Sequence, residues 1–229
     1  MNARYRWLSV DPLGRAQIAK IAGAMQARTY GRTVKSGYNL STVRAEWLEG
    51  AFTERLEYVE KVSDPLGGEL SISRVEFRRT EFRIGTAYPQ VELRDPARQV
   101  RPLLNLIGDV LDFKVAVVPV STPPLAWANA LAKGGEPVQV VRLRSTKFSL
   151  SNEAQAAVVV TGTSDVRSLL PSLLGTRPVE AESVLCSWRT AQGEWRVELR
   201  AGGAANVVSA PVDNPGQVLR KAIAGLATA

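Results

Sequence analysis

Histidine is absent from the chain, and this closes more routes than any motif present opens. Ser-His-Asp and Cys-His catalysis, histidine-ligated zinc, copper or haem, and histidine general bases are all excluded. There is one cysteine, Cys186, so neither an intramolecular disulfide nor a cysteine zinc site can be built. It lies in Val184-Leu185-Cys186-Ser187-Trp188, which reads as a buried strand with the thiol as a small core hydrophobe. No stretch approaches the roughly 18 to 20 apolar residues of a membrane helix, and the most apolar one, Val115 to Pro124, is cut by prolines. Tyr5 to Val10 is too short for a signal-peptide core and runs into Asp11-Pro12, so a cytoplasmic protein is expected. Phosphate cradles are missing too. Gly162-Thr163-Ser164-Asp165 matches neither a Walker loop nor a dinucleotide fingerprint, and no cofactor is expected. Only carboxylate, lysine or tyrosine chemistry remains open to an enzyme.

What is present is a 229-residue chain, 45% apolar and 22% charged, long enough for a real core and ordinary for a globular protein. Its richness in alanine, arginine and valine reads as prokaryotic. The charge is distributed unevenly. Positions 1 to 44 carry eight basic residues (Arg4, Arg6, Arg15, Lys20, Arg28, Arg32, Lys35, Arg44) against Asp11 alone, while everything from Ala45 onward is balanced at 21 against 21. The formal charge of +7 is therefore a property of the N-terminal stretch.

Within it, Arg28 to Arg44 interleaves four cations with Tyr30 and Tyr38 and contains no acid. Cations bind phosphates whatever the sequence, and tyrosines stack on bases, so Arg28, Tyr30, Arg32, Lys35, Tyr38 and Arg44 form the candidate nucleic-acid or partner-binding set. Their glycines, serines and threonines read as an exposed loop. The expected function is a non-catalytic binding subunit of a prokaryotic assembly that touches DNA or RNA backbone. Two alternatives stand beside it: a structural or adaptor protein docking onto an acidic partner, and a metal-dependent nuclease using Glu76 and Glu81.

Periodicity sets out the elements. A strand over 5–10 precedes a helix from residue 12 to about 28, capped by Asp11 with Pro12 at its first position. Strands are expected at about 52–62 and 69–84, around the turn Asp64-Pro65-Leu66-Gly67-Gly68. In the second of these the apolar phase switches between Phe77 and Phe82, which predicts a bulge at Arg78-Arg79-Thr80. A strand at Val91 and Leu93, a helix from Asp95-Pro96 to Leu111, a buried strand over 114–120 and a short helix ended by Gly134-Gly135 follow. Strands over 138–150 and 156–161 flank the turn Ser151-Asn152. A helix capped by Ser164 or Asp165, strands over 179–188, 194–199 and 206–209, and a helix over 215–226 complete the chain.

Val100-Arg101-Pro102-Leu103-Leu104 and Val166-Arg167-Ser168-Leu169-Leu170 share four of five residues and raise the question of a duplication. The fold expected is α+β, an antiparallel sheet with helices packed on one face, in two ferredoxin-like halves at 1–122 and 123–229.

Overall fold

The computed structural model describes residues 3–63, 65, 67–97, 100–133, 137–149, 154–175 and 179–227. The chain is an α+β protein with a large antiparallel sheet and, among the described residues, five α-helices. It divides into two units. The first contains Met1–Val10, Tyr88–Arg94 and Val117–Ala229, and the second Asp11–Ala87 and Asp95–Ala116. The division differs from the expected 122/123 boundary, because the segments of the second unit interrupt those of the first along the chain. Gly134-Gly135, Ser151-Asn152, and Asp64 and Leu66 of the first expected turn lie outside the described residues.

In the first unit, β1 (Ala3–Asp11) alternates buried Ala3, Tyr5 and Trp7 with outward Arg4, the period-2 pattern of a half-buried strand. Here β5 (Val91–Arg94), β1, β11 (Ala204–Ser209), β10 (Gly193–Arg200), β9 (Ser183–Thr190), β7 (Gln139–Ser149) and β8 (Gln155–Thr161) follow one another across the sheet. β6 (Ala116–Pro119) pairs with β1 and is largely exposed, against the expected buried strand. The helices α3 (Pro124–Ala132) and α5 (Pro215–Ala227) bring Trp127, Leu219 and Ile223 into the core. Trp127 meets Trp7 edge-on at 5.4 Å and donates its indole N–H to the Leu219 carbonyl at 3.2 Å, so its one polar atom is satisfied where it is buried. Gly203 turns β10 into β11 at φ 64°, and a Cβ there would stand 2.7 Å from Val120 Cβ.

The succession β6, α3, β7, β8, helix, β9 has the element order of a ferredoxin-like half. Its pairing differs, since β9 lies between β7 and β10 while β6 lies on β1. The five-residue echo also diverges. Arg101–Val110 is a full helix, α2, whereas Val166–Leu169 is a 3-10 turn leading into the short α4 (Leu170–Leu174). Asp165 does cap that turn, accepting from the Arg167 N–H at 3.0 Å.

The second unit is built on β2 (Ser36–Val43), β3 (Trp47–Ser63) and β4 (Glu69–Gly85) with α1 (Arg15–Ala27) and α2. α1 packs on β2, β3 and α2 through Ile18, Ile21, Ala22 and Met25. It starts later than expected because Asp11 is the last residue of β1, which leaves Gly14 at the cap. The strands bury their even positions, Tyr38, Leu48, Phe52, Thr80, Phe82 and Ile84. The β3–β4 register runs unbroken from Trp47 opposite Gly85 to Ser63 opposite Glu69, so there is no bulge at 78–80. The phase switch has another cause. Thr80 marks the outer limit of the core, its hydroxyl accepting the Ala97 N–H at 3.0 Å, and beyond it the ribbon no longer has a buried face to enforce alternation.

Candidate nucleic-acid interface

The basic stretch is an ordered edge rather than a loop. β2 pairs with β3 from Ser36 opposite Glu54 to Val43 opposite Leu48. Arg28 follows the C-terminus of α1, where a cation complements the helix dipole, and its carbonyl accepts the Tyr38 N–H at 2.9 Å. The Tyr30 N–H in turn donates to the Tyr38 carbonyl at 3.1 Å, so residues 28–30 form a strap along β2. The strap crosses Gly37, where a Cβ would come within 2.5 Å of Tyr30 N. That glycine serves close backbone approach and not a turn.

Arg32 lies in the turn closed by the Val34 N–H to the Gly31 carbonyl, and Lys35 follows it, its carbonyl taking the Arg55 N–H at 2.7 Å. Arg44 sits at the far end of β2, in the turn to β3. At roughly 3.3 Å per residue, Lys35 and Arg44 stand about 30 Å apart, so the four cations make a row and not a cluster.

Tyr38 departs from its expected role. It is 4% exposed, packed on Phe52 at 4.9 Å and Phe82 at 6.3 Å, and its hydroxyl donates to the Pro102 carbonyl at 3.3 Å. Burial pushes its phenol up to about 12, with Arg28 opposing the shift and Glu54 adding to it. It is a core residue and no platform for a base; Tyr30 is half-buried.

Electrostatically, the unit separates into two regions. Along the hairpin the cations other than Arg74 are paired with carboxylates: Arg55 with Glu57 at 3.2 Å, Lys61 with Glu69 at 3.4 Å, Arg78 with Glu76 at 2.9 Å, and Arg79 with Glu81 at 3.6 Å. Arg83 bonds Glu49 at 2.6 Å and lies 4.1 Å over the Trp47 ring, and Arg15 pairs with Glu46. Arg28, Arg32, Lys35 and Arg44 are all exposed, and among the described residues none of them has an ion-pair partner. Arg4 and Arg6 belong to β1 of the first unit, so the N-terminal excess is shared between units. In the first unit Arg142 and Arg200 both reach Glu198, at 3.5 and 2.8 Å, and Arg144 reaches Glu182 at 3.4 Å.

Glu76 and Glu81 lie on opposite faces of β4, since the unbroken register provides no bulge to realign them. The carboxylates Glu49, Glu54, Glu57 and Glu60 are spread along β3 and not gathered on a helix face. Among the described residues no three His, Cys, Asp or Glu side chains converge as a metal site.

Sequence reasoning missed the outer half of the hairpin. Beyond Arg55, β2 no longer covers β3, and the ribbon exposes Val59 at 67%, Leu70 at 61% and Phe77 at 62%, together with Tyr58, Val62, Ile72 and Val75. The signal was available: from Leu56 to Phe77 apolar residues occupy both parities, as they do where a strand has no inside. Comparison with known proteins adds no identity to this α+β chain, since no family model and no curated protein matches it.

Proposed function

We propose that the protein is a non-catalytic binding subunit of a prokaryotic cytoplasmic assembly, holding nucleic acid by its phosphate backbone along the edge formed by Arg28, Arg32, Lys35 and Arg44. The supporting observation is the segregation of charge. Cations on the neighbouring hairpin other than Arg74 are matched by carboxylates, and these four are not. Unpaired cations have no competing internal anion to give up when a phosphate arrives, and they release condensed counterions when they bind. With Tyr38 buried, base stacking has little part, so the contact is indifferent to sequence and duplex and single strand are both admitted.

The test is anisotropy of fluorescein-labelled duplex and single-stranded oligonucleotides at low salt. Binding is expected at about 50 mM salt, and changing Arg28, Arg32, Lys35 and Arg44 together to serine should abolish it and flatten the log-affinity against log-salt slope by roughly 0.7 to 0.9 per lost contact. The same exchange at Arg142, Arg144, Arg196 and Arg200 should change little. A parent that fails to bind at that salt, or a folded quadruple variant that binds like the parent, would overturn the reading.

A second reading, an adaptor docking onto another polypeptide, is favoured by a separate observation: the apolar side chains exposed on the outer hairpin.

A further inference from the structure

We propose that β3 beyond Arg55 is a self-association edge, on which a second copy of this chain adds its own β3 antiparallel about a two-fold axis at Val59. This is independent of the nucleic-acid reading and concerns a different edge.

Backbone parity supplies the bonding groups. Because the Arg55 N–H is turned to Lys35, the odd residues of β3 direct their N–H and C=O away from β4. Glu57, Val59 and Lys61 therefore present theirs outward, and among the described residues no strand lies opposite them. A two-stranded ribbon is marginal in water and gains from further strands, more so when apolar side chains emerge on both faces.

Charge selects the occupant. From Arg55 to Arg79 the sequence holds five basic and five acidic residues, so the ribbon offers neither a polyanion nor an anionic bilayer any net attraction. It does complement itself. With the axis at Val59, Val59 faces Val59, Glu57 faces Lys61 and Leu56 faces Val62, each contact repeated by symmetry. Centring on Glu57, Glu60 or Lys61 sets a charge against its own copy, and centring on Tyr58 sets Arg55 against Lys61. Among centres from Glu57 to Lys61, only Val59 avoids like-charge opposition. The odd-to-odd pairs it creates are those whose N–H and C=O point at one another, giving about six main-chain bonds across the two-fold. Glu57 and Lys61 already contact Arg55 and Glu69 within the ribbon, at 3.2 and 3.4 Å, but those pairs are exposed and leave room for a second partner.

Sedimentation equilibrium of the full chain without nucleic acid, from micromolar to submillimolar concentration, tests this. A monomer–dimer equilibrium is expected. Glu57→Lys alone and Lys61→Glu alone each create two like-charge oppositions and should weaken it at least about tenfold, while the double exchange restores it. An effect arising only within each ribbon would add in the double variant, because each exchanged side chain would then stand beside a charge of its own sign, at Arg55 and at Glu69. Val59→Pro removes an N–H that does not serve the hairpin and should leave a folded monomer. Val59→Cys should cross-link to its own copy under mild oxidation, since paired Cα atoms about 5.5 Å apart suit a disulfide and Cys186 is buried. A chain that stays monomeric throughout, a dimer indifferent to Val59→Pro, or a double charge exchange weaker than both single ones would overturn the proposal.

Discussion

Burial of the Tyr38 ring raises the pKa of its phenol from 10 to about 12, so the native state retains this proton longer than the unfolded chain does. Its contribution to stability is then complete below about pH 10 and is lost as pH rises toward about 12, on the order of 2 kcal/mol over the window. Urea midpoints measured across that range should fall more steeply for the parent than for Tyr38→Phe. At neutral pH the phenylalanine variant should lose no more than about 1 kcal/mol, because the bond it gives up is long. The single thiol is held in the same way. Burial pushes Cys186 up to about 12, against the lowering effect of Arg167 and with a smaller raising one from Asp165. Native protein should leave an aromatic disulfide reagent unreacted, and one equivalent should react after unfolding. Cys186 was legible in the sequence because its neighbours are apolar. Tyr38 was not, because the strap of residues 28–30 that covers β2 depends on Gly37, and a glycine reads the same whether it permits a turn or a close approach. Gly37→Ala should therefore displace that strap and destabilise the unit by about 1 to 3 kcal/mol, measurable by thermal unfolding.

At the scale of elements, the boundaries legible in sequence were those set by a buried face. α3, α5, β7, β8 and β10 fall within about a residue or two of their expected limits because core contacts impose a period on them. β2 was hidden because Ser36, Asn39, Ser41 and Thr42 give an edge strand the composition of a loop. The bulge in β4 was inferred on the assumption that one face stays inside along the whole strand, and the outer hairpin violates it. Hydrogen exchange should show the difference within β3. In the dilute protein, amides of Leu56 and Tyr58, which point to β4, should exchange more slowly than those of Glu57 and Val59, and both should be faster than Leu48 and Phe52 in the core. Concentrating the sample should slow Glu57 and Val59 selectively.

For the whole molecule, charge was the property sequence conveyed best and topology the one it conveyed least. The +7 excess is real, yet β1 carries Arg4 and Arg6 into one unit while the rest of the N-terminal cations stand in the other. Since Arg55 and Phe77 are cross-strand partners, an Asn-Gly turn between them would excise the outer hairpin at a natural closure point. The shortened protein should melt within a few degrees of the parent and keep oligonucleotide binding, because none of the described residues in the excised segment is buried. Chain order also bears on how the molecule is made. Ala3 finds its register opposite Val207, so β1 has β5 and β6 beside it long before β11 arrives to pair with Ala3 to Arg6. On a ribosome, β2 to β4 emerge as sequence neighbours and can close while β1 is still exposed on one side. The unit that holds β1 is thus completed after the one built on β2 to β4, and β1 is the apolar segment that a chaperone would find uncovered during synthesis.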